Sequence, residues 1–67
     1  MKNFIRLFCT NKETIIAVDT ISYIDREDTQ LFIKYKNDNT IRSYKFHSSH
    51  EALIAFEQIW KEVKNND

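Results

Sequence analysis

The chain has 67 residues, 42% of them hydrophobic and 30% charged, with ten Lys+Arg balancing ten Asp+Glu to a formal net charge of zero. That length has room for one domain, spanning 1–67, with a core near the lower limit of independent stability; the apolar content excludes a disordered segment, and the balanced charge excludes a protein marked as a nucleic-acid or membrane binder by its overall basicity. Gly and Pro are both absent, so no glycine-dependent phosphate loop exists and every turn must be made by Asn, Asp, Thr or Lys.

The opening Met1-Lys2-Asn3-Phe4 leads straight into a strand-like run over 3–9 rather than into the apolar core of a secretory leader. No run approaches the ~18 apolar residues of a membrane span, so a cytoplasmic protein without a membrane partner is expected. A turn at Asn11-Lys12 joins this run to a second strand over 14–18. It sets Ile5 opposite Val18 and Leu7 opposite Ile16 on one face, and Phe8 opposite Ile15 on the other. A strand pair apolar on both faces needs cover on both. The helix described below supplies one cover. The other predicts a subunit interface anchored by Phe4, Phe8, Ile15 and Ile16, with a strongly curled, barrel-like sheet as the alternative. Self-association is also the remaining support for so small a core, because Cys9 has no second cysteine to pair with and no four-ligand zinc pattern occurs.

Three further strands are expected over 21–27, 31–36 and 40–46, the first of them broken by a bulge. A two-residue loop at Asp28-Thr29 places Ile24 opposite Ile33, facing in, and Tyr23 opposite Lys34, facing out. A similar loop at Asp38-Asn39 places Ile33 opposite Tyr44 and Leu31 opposite Phe46, facing in. It turns Lys36 and Ile41, Lys34 and Ser43, and Phe32 and Lys45 outward. Asn and Asp tolerate the left-handed backbone such loops need.

Ser48-Ser49-His50-Glu51 has the form of a capping box and opens a helix over about 49–64. Ala52, Leu53, Phe56, Ile59, Trp60 and Val63 recur at helical spacing as the stripe that covers the sheet; Glu57, Gln58, Lys61 and Glu62 take the other side, and Glu57 with Lys61 forms a favourable pair one turn apart. The tail Asn65-Asn66-Asp67 should fray. The expected class is therefore α+β: an antiparallel, strongly curled meander of four to five short strands packed by one C-terminal helix.

No catalytic constellation, metal site or cofactor is expected. His47 and His50 straddle a strand-to-helix junction without a third ligand and read as surface histidines beside a cap. Cys9 lies in an apolar run with only Arg6 near it in sequence, which suits a small buried hydrophobe better than a reactive thiol. Asp25, Glu27 and Asp28, interrupted by Arg26, lack the alternation of a calcium loop and read as a solvated turn. The outer sheet face has more content: Tyr23, Phe32, Lys34, Lys36 and Lys45 gather there beside Ile41, with Asp25 as the one acid, a combination that can stack bases and neutralise phosphates.

With the strands laid out, Phe4-Ile5-Arg6-Leu7, Val18-Asp19-Thr20-Ile21-Ser22-Tyr23-Ile24, Glu27-Asp28-Thr29 and Ser48-Ser49-His50-Glu51-Ala52-Leu53 resemble the corresponding stretches of small FlbD-type flagellar proteins. The resemblance covers most of the chain and implies an opening strand pair, a second hairpin and a closing helix; that family's Asn-Gly turns are replaced here by Asn11-Lys12 and Asp38-Asn39. Asp19-Thr20-Ile21-Ser22-Tyr23-Ile24 is also similar to the start of a LytTR DNA-binding domain, whose DNA-contacting half has no counterpart here, so no binding residue is carried over. The function expected is that of a non-enzymatic, self-associating protein-interaction module, a homo-oligomer that could also take a protein partner. The alternative is a small nucleic-acid-binding protein using the basic, aromatic outer face.

Overall fold

The structure is a computed structural model that describes residues 4–65; residue 3 of the expected first strand and Asn66-Asp67 of the expected frayed tail lie outside the described residues. In chain order the elements are β1 (Phe4–Phe8), β2 (Glu13–Ala17), a 3-10 turn (Val18–Thr20), β3 (Ile21–Glu27), β4 (Gln30–Tyr35), β5 (Ile41–Lys45) and α1 (Ser49–Asn65). The fold is α+β, with all strand pairs antiparallel and one C-terminal helix packed on them. The five strands are apportioned to two sheets, a β1-β2 hairpin and a β3-β4-β5 meander. The division falls at Val18–Thr20, where the Thr20 hydroxyl donates to the Ala17 carbonyl at 2.6 Å and the chain winds through a tight turn instead of continuing as a strand.

The middle hairpin has the expected alignment. Ile24 faces Ile33 and Tyr23 faces Lys34, a register shift between Ile21 and Tyr23 marks the bulge, and Asp28 holds the left-handed position of the two-residue turn at φ 53. The other two hairpins turn one residue earlier than expected. In the first, the Cys9 N–H donates to the Lys12 carbonyl at 2.9 Å, so the turn is Thr10-Asn11 rather than Asn11-Lys12; Ile5 then faces Ile16 and Leu7 faces Thr14. In the last, the Asp38 N–H donates to the Tyr35 carbonyl at 3.2 Å, the Asp38 carboxylate accepts the Thr40 N–H at 2.9 Å, and Leu31 rather than Ile33 faces Tyr44. Lys34, not Lys36, faces Ile41. Moving a turn by one residue moves every cross-strand partner by two, which preserves the face on which each side chain stands.

One core results. Ile5, Leu7, Ile16 and Val18 come from the hairpin side, Leu31, Ile33, Tyr44 and Phe46 from the meander and its exit, and Ala52, Ala55 and Ile59 from the helix. Full burial of Leu7, Leu31, Ile33 and Ile59 contributes about 1.5–3 kcal/mol each. Among the described residues a single backbone hydrogen bond, from the Thr10 N–H to the Lys45 carbonyl at 2.9 Å, crosses from hairpin to meander.

The helix starts where the cap was expected, with the Glu51 N–H donating to the Ser48 Oγ at 3.2 Å. Its inward arc differs from the expected stripe. Ala52, Ala55 and Ile59 are buried, with Phe56 and Val63 packed beside them, whereas Leu53 and Trp60 stand outside the core and Trp60 is 52% exposed. Two alanines on the contact line let α1 approach β3, β4 and the 3-10 turn closely, and residues a quarter-turn away are left on the flank.

Candidate interaction surface

Phe4, Arg6 and Phe8 alternate along the outward side of β1, and Glu13, Ile15 and Ala17 along the outward side of β2. The cross-strand pairs are Phe4 with Ala17, Arg6 with Ile15 and Phe8 with Glu13. Phe4, Phe8 and Ile15 are 61%, 59% and 67% exposed, far more than isolated apolar side chains on a sheet need be. Arg6 is fixed among them: its Nε–H donates to Glu13 Oε2 at 2.8 Å, a second guanidinium N–H completes the fork on the same oxygen, and its Cζ lies 4.9 Å from the centre of the Phe8 ring. An exposed ion pair adds at most about 1 kcal/mol to stability. Its larger effect is to hold the guanidinium in one place within an apolar patch, the combination of aromatic, aliphatic and arginine side chains that carries binding energy at protein interfaces.

Ile16, expected in the same interface, is corrected to the core at 4% exposure. It follows Ile15 directly and so points to the opposite face of β2. Arg6 and Glu13, which sequence reasoning left out, are the polar members of the patch; the alternation Phe4-x-Arg6-x-Phe8 carried that signal. A shallow groove of about 160 Å³ continues from the patch between β1 and the first half of α1, lined by Arg6, Leu7, Phe8, Phe46, Ile54 and Ala55.

The outward face of the meander brings together Tyr23, Lys34 and Ile41 in one row, Asp25, Phe32 and Ser43 in the next, and Glu27, Gln30 and Lys45 in the third. Phe32 and Lys34 are half-buried, while Tyr23 and Lys45 are exposed. Lys36 lies beyond the end of β4, its N–H bonded to the Thr20 carbonyl at 2.7 Å. Asp25 is not the one acid of this face: Glu27, two residues on, shares it. Arg42 stands on the other side and pairs with Asp38 at 3.0 Å.

His47 and His50 are both exposed, and among the described residues no three His, Cys, Asp or Glu side chains are grouped to hold a metal ion. Cys9 packs against the core, and burial pushes its thiol above the usual value against a smaller opposing pull from Lys12. Among the described residues no helix is long and apolar enough to cross a membrane. In comparisons with protein-family models, curated proteins and solved structures, nothing matches this chain.

Proposed function

We propose that this chain is a non-enzymatic, cytoplasmic protein-interaction module that associates with itself through the outward face of the β1-β2 hairpin. What carries this proposal is one observation: Phe4, Phe8 and Ile15 stand well exposed around an arginine already immobilised by Glu13 and Phe8. Their exposed side chains amount to on the order of 350 Å², within the range of the largest apolar patch on a monomer, which is often the functional one. The face also carries one cation and one anion, Arg6 and Glu13, so a copy of itself brings no net charge against it. The single, half-buried thiol of Cys9 fits a reducing compartment. For the nucleic-acid alternative there is less support, because Asp25 and Glu27 share the meander face with Lys34 and Lys45. The chain's architecture, on this reading, is that of the small FlbD-type proteins its sequence resembles.

Sedimentation velocity across a range of protein concentrations tests self-association. The parent protein is expected to sediment as a dimer or larger, and Ile15→Asp and Phe8→Asp as folded monomers. A monomeric parent at every concentration, or variants that sediment unchanged, would refute the proposal.

A further inference from the structure

The two sheets leave β1, β2, β3 and β5 as edge strands. Sheets usually blunt such edges with charges, bulges or cover, because unpaired N–H and C=O groups recruit another strand. β3 carries a bulge and the charged run Asp25-Arg26-Glu27. β5 carries Arg42 and Lys45 and is tied at the Lys45 carbonyl to the Thr10 N–H. The far side of β1 borders the groove against α1 and carries Arg6. β2 has no such protection past Glu13: Thr14, Ile15 and Ile16 are β-branched, Thr14-Ile15-Ile16-Ala17 holds no charge, and among the described residues no element but β1 runs alongside it.

The backbone groups on this edge follow from the turn. The Cys9 N–H bonds to the Lys12 carbonyl, and bonded and non-bonded pairs alternate along an antiparallel ladder, so Leu7 with Thr14 and Ile5 with Ile16 exchange the next hydrogen bonds. Glu13, Ile15 and Ala17 therefore turn their N–H and C=O groups away from β1. Two observed bonds agree with that parity: the Thr10 N–H reaches Lys45 on the far side of β1, and the Ala17 carbonyl is free to accept the Thr20 hydroxyl.

We infer that β2 pairs with β2 of a second copy of the chain, antiparallel about a two-fold axis at Ile15. The inference rests on the self-association proposed above and adds its register. Ile15 of each copy exchanges N–H and C=O bonds with Ile15 of the other, and each Ala17 N–H reaches the Glu13 carbonyl of its partner. A second copy suits this edge because the edge complements itself. On the outward face Ile15 packs on Ile15, and each Glu13 stands beside a small, uncharged Ala17, with the two carboxylates at opposite ends of the seam and each still held by its own Arg6. Sliding the strands by two residues sets Ile15 against Glu13 in one direction and Glu13 against Asp19 in the other. Ile15→Asp places two carboxylates face to face at the axis, and Phe8→Asp places a second carboxylate beside Glu13 at the end of the seam, so both variants lose the pair. A five-residue strand pair is a small contact, so assembly is reversible and grows with concentration.

Amide hydrogen exchange, followed by NMR at rising protein concentration, reads the edge directly. The Ile15 and Ala17 amides, unbonded in a single copy, are expected to slow about tenfold or more as copies pair. Ala17→Pro removes an N–H that a single copy does not use, at a φ of −92 that proline approaches, and is expected to stay folded by circular dichroism and to sediment as a monomer. An associated parent whose Ile15 and Ala17 amides exchange alike at every concentration, or a folded Ala17→Pro that assembles like the parent, would overturn the strand pair and leave the hairpin proposal standing. A parent that is monomeric throughout would remove both. Protection that appears only on adding a Thr-Val repeat peptide would also overturn the inference, the edge then accepting a foreign strand in place of its own copy. Should Ala17→Pro fail to fold, the exchange measurement on the parent decides alone.

Discussion

The phenolic oxygens of Tyr35 and Tyr44 stand 2.9 Å apart at the edge of the core, joining two side chains of neighbouring strands by a hydrogen bond that water only partly reaches. Burial, and then the bond to Tyr44, push the Tyr35 hydroxyl well above the usual tyrosine value. The Lys12 ammonium lies 5.3 Å from the centre of the Tyr44 ring, so the pair is also in touch with the first hairpin.

Replacing Tyr35 by Phe leaves the Tyr44 hydroxyl without this partner and should lower stability by about 1 kcal/mol in urea unfolding. The parent should also show an alkaline limb absent or weaker in Tyr35→Phe. Below about pH 10 the Tyr35 proton is held in both states; above it the unfolded chain releases that proton while the folded chain retains it, so stability falls as pH rises. Equal alkaline limbs in the two proteins would rule this out.

Adjacent residues of β2 should respond in opposite ways. Ile16→Ala opens space in the core and is expected to cost about 2–5 kcal/mol, and Ile16→Asp to abolish folding, both read by circular dichroism melts. Ile15→Ala, on the outward face, should stay within about 0.5 kcal/mol of the parent. Comparable losses at both positions would mean that β2 does not present alternate faces to core and solvent.

In the β4-β5 loop, the Thr40 N–H and then the Arg42 guanidinium hold the Asp38 carboxyl below the usual aspartate value. Whatever stability these bonds supply is present above about pH 4 and is lost as pH falls through the lowered value. Carbon-detected NMR titration should find the Asp38 midpoint below that of ordinary aspartates, and Arg42→Ala should raise it part of the way back, the Thr40 bond remaining. A midpoint unmoved by Arg42→Ala would remove Arg42 from the cause.

Which face β3, β4 and β5 turn inward was legible in the sequence, because alternation of apolar and polar residues fixes it, whereas on β2, apolar at both positions, the expected interface joined Ile15 with its inward neighbour Ile16. Alignment was legible only at Asp28-Thr29, where a two-residue turn suits the flanking strands and Asp28 supplies the left-handed residue. Elsewhere no glycine marks the turn. Thr10-Asn11 and Asn11-Lys12 are then nearly equivalent in propensity, and the backbone bond from Thr10 to Lys45, a contact 35 residues away, accompanies the turn that forms. The same holds for α1: helical spacing located an apolar side but not the centre of its contact. Ala52 and Ala55 take the close approach, and the larger Leu53 and Trp60 are turned out toward solvent. The patch on the hairpin was half legible, since Phe4, Phe8 and Ile15 follow from alternation, whereas the immobilisation of Arg6 depends on its geometry with Glu13 and Phe8.

Among the described residues every strand pairs only with a neighbour in sequence, and one main-chain bond, Thr10 to Lys45, ties the hairpin to the meander. Strand pairing therefore requires no long loop to close, and each hairpin can form within microseconds on its own. Docking is then the step expected to be slow, since Leu7 of the hairpin, Leu31 and Ile33 of the meander and Ile59 of the helix are fully buried only where the three pieces meet. Such a chain is expected to search rapidly and commit late, with core substitutions at Leu7 or Ile59 slowing folding more than substitutions in the turns.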